Sequence, residues 1–335
     1  MKKKSYIFIF IGIILTVFGV NFFIFYNLNS SFNEIKNDDE MVMPEKMPSY
    51  HFVMISGNQD NFSWESIKEG GKKAAKEMGV AVEFKGSNIY NPEEQWKYMD
   101  MAIASKVDGI VTYVWDEVQG KEYIEKSAKQ DIPVVTMGTD SKNSSRTAFV
   151  GINTYDAGIQ LGRMTIEATG DVGEVVVLMS DGIIGGIMAQ NLMLSGIQEA
   201  IKDHPKIKIK PIEYSTSGFQ GIEEAIKDII SSNPALDTII CTTARDTSIV
   251  AEILVDLNKV GYHIIGSGDS PEVLRYIERG LVFGSVKPDL EQMGYNAILA
   301  LMDTKQKGRT STYFKVDNYT ITKSNINDYA KDGKE

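Results

Sequence analysis

From residue 50 onward the chain alternates short apolar runs with longer stretches of helical period. HFVMIS (51–56) reads as a strand, and 64–78 places Ile67, Gly71, Ala74, Ala75 and Met78 on one helical face before Gly79 ends it. VAVEF follows as a strand, then a helix opening after Asn91-Pro92, then the strands DGIVTYV and IPVVTM with a helix between them. A second series starts after Asn153. Helices over 154–168, 188–202, 221–230, 247–258, 271–278 and 290–302 alternate with EVVVLM, KIKIKPIEY, DTIIC, HIIGSG and LVFGSV, and YFKVDNYTIT closes the chain as a last strand. The strands are nearly continuous in apolar residues, which suits parallel sheets covered on both faces. Two successive series of this kind predict two doubly wound α/β lobes. Ligands in such sheets bind beyond the C-terminal strand ends, which places a site in the cleft between the lobes.

The first fifty residues follow another rule. Lys2, Lys3 and Lys4 precede the run YIFIFIGIILTVFGVNFFIFY (6–26), diluted only by Thr16 and Asn21. That is close to the roughly 20 residues a helix needs to cross hydrocarbon, and longer than the roughly 7–15 of a signal-peptide core. The following NLNSSF offers no small-residue cleavage pattern, and a lipid-bearing cysteine is excluded because the single cysteine is Cys241. The expectation is a transmembrane signal anchor over 6–26 with a cytoplasmic stub at 1–5. The positive-inside rule then puts everything beyond it outside the cell membrane. Residues 27–49, with a Lys-Asn-Asp-Asp-Glu run and two prolines, read as a stalk, with a short helix near 32–35 as an option.

Composition narrows the function. The 335 residues are enough for two domains, and 43% hydrophobic with 24% charged residues is an ordinary globular balance. A net charge of −10 argues against nucleic acid, whose phosphates require clustered cations. One cysteine allows no internal disulfide and no cysteine metal cluster, and Cys241 at the end of an apolar strand reads as packing. His51, His204 and His263 are scattered, no G-x-S-x-G elbow occurs, and GIIGG (182–186) lacks the Lys-Ser/Thr of a phosphate loop. The chain is therefore expected to be a binder, not an enzyme, without cofactor or metal.

Several blocks carry a resemblance: SIKEGGKKAAKEMG (66–79), IPVVTMGTDSKNSSRTAFVGINTYDAGIQLGR (132–163), IIGSGDSPEVLRYIERG (264–280) and GSVKPDLEQMGYNAI (284–298). In order and spacing they resemble the type I periplasmic sugar-binding proteins of the ribose-binding group, over residues 50 to about 326. The resemblance implies two doubly wound parallel-sheet lobes joined by a three-segment hinge and closing on a sugar. The crossings would fall near 151–153, 286–289 and 313–318. The first lobe would be 50–151 plus 289–312, and the second 152–288 plus 313–335. Repressors sharing this architecture carry an N-terminal helix-turn-helix, where this chain has an apolar run.

A neutral sugar presents hydroxyls at its edge and C–H patches on its faces, so carboxylates, amides and aromatic rings recognise it. The resemblance assigns Asn61 and Trp64 to a polar contact and a stacking ring; Trp64 has sheet packing as its alternative. Trp115, following DGIVTYV, reaches either the cleft or the lobe core. Asp140 is a ligand carboxylate or a solvated turn residue. Asn191 matches a polar position, with Met193 where relatives carry arginine. Phe219 is a second candidate ring. Asp246 faces the cleft, caps the following helix, or both. Asp269 follows Gly268 where relatives carry an acidic pair, and a capping role is its alternative. Lys287 replaces an amide donor or faces solvent, and Pro288 supplies none. Because several ribose contacts are missing, a pentose such as xylose, or another small aldose, is the expected ligand. With its uncut span the chain resembles membrane-anchored xylose-sensing binding proteins that work with a LytS-type histidine kinase. That kinase's extracellular part is the implied partner, and the receptor of an ABC sugar transporter is the alternative role.

Overall fold

The computed structural model describes residues 40–44, 47–56, 62–87, 91–180, 186–214, 219–259 and 261–329. Chain order begins with β1 (Glu40–Val42), β2 (His51–Ser56), α1 (Phe62–Met78), β3 (Ala81–Gly86), α2 (Pro92–Ala104), β4 (Gly109–Thr112), α3 (Glu117–Ala128), β5 (Val134–Met137) and β6 (Ala148–Ile152). It continues through α4 (Thr154–Thr169), β7 (Gly173–Ser180), α5 (Gly186–Ile201), β8 (Ile207–Tyr214), α6 (Phe219–Ser232), β9 (Leu236–Cys241), α7 (Ala244–Asp256), β10 (His263–Ser267), α8 (Pro271–Glu278) and β11 (Gly284–Pro288). The last elements are α9 (Leu290–Lys307), β12 (Tyr313–Val316), β13 (Asn318–Thr322) and a short 3-10 helix (Ile326–Asp328).

Two sheets result, ordered β1-β3-β2-β4-β5-β6-β12 and β13-β11-β10-β9-β7-β8. Their pairings are parallel except for the outer strands β1 on β3 and β13 on β11. Helices cover both faces, which explains the continuous apolar strands. Along β2, Phe52 and Met54 enter one core with α1 and α9, while Val53 and Ile55 enter another with Trp96 and Met99 of α2. The second sheet divides the same way: Val176 and Leu178 point into one core, Val175 and Val177 into the other.

Each lobe also contains a helix pair packed backbone to backbone. A Cβ on Gly294 of α9 would lie 1.8 Å from the Ile67 carbonyl oxygen, and one on Gly70 of α1 would lie 1.8 Å from that of Glu291. In the other lobe Gly158 and Gly196 bring α4 and α5 together, with a Cβ at 2.0 and 2.1 Å from backbone oxygens. The glycines of SIKEGG and GSVKPDLEQMG are thus explained by close approach.

The structure revises two sequence expectations. YFKVDNYTIT is two strands, not one: β12 joins β6 in the first sheet, the chain crosses at Asp317, and β13 joins β11 in the second. Residues 313–316 therefore belong to the first lobe. The stalk reading also gives way at residues 40–42, where β1 pairs with β3. Among the described residues no helix is long and apolar enough to cross a membrane; the run 6–26, the segment 32–35 and the loop 181–185 lie outside the described residues.

Candidate functional site

β6 and β11 leave their sheets at their C-terminal ends, and both run directly into crossings between lobes. The C-terminal ends of the parallel strands in both lobes therefore converge on one space beside the hinge. Asn153 and Asp289 stand at the first two crossings and cap the helices that follow, accepting from Asp156 N and Gln292 N. The third crossing is stitched to both. Asn318 Nδ2 donates to the Asn153 carbonyl at 2.9 Å, Asp289 N to the Asp317 carbonyl at 2.8 Å, and Asp317 N to Gln292 Oε1 at 2.8 Å. Asp156 accepts from Gln160 Nε2 at 2.8 Å and from Asn318 Nδ2 at 3.3 Å.

On the second lobe, β9, β10 and β11 are neighbours, and each delivers a predicted residue at its C-terminal end. Asp246 lies in the first turn of α7. It is not the cap: Thr243 is, accepting from Asp246 N at 3.1 Å. The Asp246 side chain is 1% exposed, and neither carboxylate oxygen has a hydrogen-bond partner among the described residues. Burying an unpaired charge is strongly unfavourable. The helix N-terminus offsets part of this, and a polyol hydroxyl pair would offset more. Beside it, burial and then the Asp246 charge push the Cys241 thiol well up, so it stays protonated and inert.

Asp269 and Lys287 pair with one another, Nζ to Oδ2 at 2.6 Å, and the ammonium lies over the Tyr329 ring at 5.2 Å. Asp269 does not cap α8; Ser270 does. Lys287 is thus neither a free donor nor a solvent-facing lysine. The preceding Gly268 has φ +81, and a Cβ there would sit 2.5 Å from Ala244 Cβ, so an acidic residue has no room at that position.

On the first lobe, Trp115 lies just beyond the end of β4, stacked on Tyr113 with centroids 5.8 Å apart and planes at 17°. Trp115 is 42% exposed, which sets aside the core alternative. Fully buried Gln95 holds the strand end below it, donating to Thr112 Oγ1 at 3.0 Å and to the Tyr113 carbonyl at 2.7 Å. Burial pushes the Tyr113 phenol far up, so it remains a neutral hydroxyl. Tyr113 and Gln95 join the candidate site beside Trp115, and sequence reasoning missed them; the aromatic spacing in TYVW was the available signal.

Other predicted residues are placed differently. Trp64 is 3% exposed and meets Phe84 edge-on in the core, so it takes the sheet-packing role. Asp140 is engaged by the guanidinium of Arg146 (Nη2 to Oδ2 2.8 Å) and by Thr136 Oγ1 at 2.8 Å, being neither a solvated turn nor an open carboxylate. Asn191 is exposed on α5, lining a shallow depression with Met188, Leu192 and Ser195, whereas Met193 is buried in the core. Asn61 and the Phe219 side chain lie outside the described residues.

Comparison with known proteins gives the same picture. A periplasmic binding protein domain model matches residues 52–310. GanP, a glucose-galactose binding protein from Geobacillus stearothermophilus, is 30% identical, with a TM-score of 0.70 over 83% of this chain and 99% of its own. XylFII in its complex with LytSN is 33% identical, with a TM-score of 0.66 over 82% of this chain and 98% of its own. The arabinose binding protein AraP from Geobacillus stearothermophilus, at 21% identity and TM-score 0.75 over 84% and 99%, is similar in fold.

Proposed function

Because this chain belongs to the periplasmic binding protein family of sugar-binding proteins, we propose that it is a membrane-tethered monosaccharide receptor. Sugar-driven lobe closure would be its signal to a histidine kinase of the LytS type. The observation that carries the reading is Asp246: a buried carboxylate without a hydrogen-bond partner among the described residues, in the turn that follows the C-terminal end of β9. The aromatic stack of Tyr113 and Trp115 at the end of β4, on the other lobe, supports the reading, since a sugar face is recognised by aromatic rings. The ligand is a small neutral aldose, with xylose the first to try. Support for the kinase partner is the likeness to XylFII, which has been solved with LytSN, together with the apolar run 6–26. A sensor gains from being held beside its membrane partner, and ligand moves it by differential affinity for the closed state.

The second reading is the receptor of a sugar transporter. Two measurements separate them. Calorimetric titration with D-xylose, D-glucose, D-galactose and L-arabinose is expected to give saturable heat for at least one; none would remove the sugar reading altogether. Mild detergent extraction of the full chain is then expected to recover a membrane histidine kinase. Recovery of a permease and its ATPase in its place would establish the transport role.

A further inference from the structure

Strand β1 does something that sugar binding does not require. It closes the outer edge of the first sheet, Glu40 opposite Phe84 and Val42 opposite Val82, where β3 would otherwise expose unpaired backbone groups. Charge reinforces the pairing. The Glu40 carboxylate meets Lys72 Nζ at 2.7 Å and Lys68 Nζ at 3.3 Å, both on α1, and Lys68 is itself buried. Since β1 runs antiparallel to β3, the chain enters the lobe at the C-terminal, cleft-side end of β3. It then turns back at the opposite end, where Ser49 N bonds the Gly79 carbonyl, to begin β2.

This docking changes the length of any tether. Residues 27–39 reach at most about 45 Å when fully extended, against about 80 Å for residues 27–49 if β1 were free. A shorter leash raises the effective concentration of whatever shares the membrane.

We infer that β1 is a strap that registers the first lobe to the bilayer, so that ligand closure moves the second lobe, not the first, relative to the membrane plane. The inference rests on the membrane-tethered reading above.

The test uses the full chain in lipid nanodiscs carrying acceptor-labelled lipid, with a donor dye at Lys97→Cys on α2 or at Lys206→Cys beside β8. The buried thiol of Cys241 stays unlabelled. Saturation with whichever of the four sugars binds is expected to shift energy transfer from Lys206→Cys and leave Lys97→Cys unchanged. Combining Glu40→Lys with Met41→Pro is expected to move the sugar-free Lys97→Cys signal to longer distance. Faster hydrogen exchange confined to the outer edge of β3 would show that this variant has released the strap and kept the fold. Equal sugar shifts at both labels, an unchanged first-lobe distance in the strap variant, or a chain that does not enter nanodiscs each overturn the inference. If no sugar binds, the receptor reading fails, while the sugar-free comparison still decides the strap.

Discussion

At the scale of single residues, Asp246 separates function from stability. Its carboxylate has no hydrogen-bond partner among the described residues and is offset only in part by the helix N-terminus it sits on. Hydrogen bonds to charged groups contribute about 1.5–3 kcal/mol, or roughly 10- to 100-fold in affinity. Asp246→Asn is therefore expected to weaken sugar binding by about that factor while the melting temperature of the free protein holds or rises, read by calorimetry and thermal unfolding. A fall in both would make Asp246 a structural residue. Trp115→Ala is expected to lose affinity without loss of stability, because the exposed indole contributes little to a core. The residue scale is also where sequence reasoning was weakest. Asp140, Asp246 and Asp269 look alike in a list of polar residues. Asp140 is paired with Arg146, Asp269 with Lys287, and Asp246 has no hydrogen-bond partner among the described residues. Asp140 meets Arg146 within one connection, between β5 and β6, whereas Asp269 meets Lys287 of β11, and apolar periodicity encodes neither pairing.

Elements were far more legible. The 3.6-residue and near-continuous apolar patterns place the long helices and most interior strands to within a few residues, because each buries its apolar face on a neighbour; β6 (Ala148–Ile152), between β5 and β12, was missed. Outer strands are the exception. Three residues, Glu-Met-Val, held by one sheet edge and one acidic side chain, give no periodic signal. Their stability depends on pH. Burial alone would raise the Glu40 pKa, but Lys72 and Lys68 outweigh it and hold the carboxyl below its ordinary value of 4.5. For a lowered carboxyl, the stabilisation is fully present above the unfolded value and is lost as pH falls through the folded one. Protection of residues 40–42 from exchange is thus expected to hold at neutral pH and to disappear in acid below about 4.5. Glu40→Gln abolishes that dependence. The glycine-packed helix pairs give a second prediction. Gly294→Ala forces α1 and α9 apart, since the added carbon lands on a backbone oxygen. It is expected to cost at least the roughly 1–3 kcal/mol typical of overpacking, measurable by urea unfolding.

For the whole molecule the three crossings matter most. Asn318 ties the third crossing to the first through one side-chain amide, and hydrogen bonds of this kind each contribute about 1 kcal/mol. Asn318→Ala is expected to leave both sheets intact by circular dichroism and to broaden the distribution of interlobe distances in solution scattering. An unbroadened distribution would mean that packing at the crossings, not this amide, sets the angle.

The sequence by itself determined the two α/β series, their order and the apolar run ahead of them, because periodicity and composition are properties of a chain before it folds, and its resemblance to a family supplied the binding class. Tertiary structure decided what sequence distance conceals. It split residues 313–322 between two sheets, since an alternating strand shows no break where it changes partner. It buried Trp64 and exposed Trp115, although both follow strands. It also left Asp246 unpaired at the cleft, because whether a buried charge has a partner depends on which distant elements the fold brings beside it.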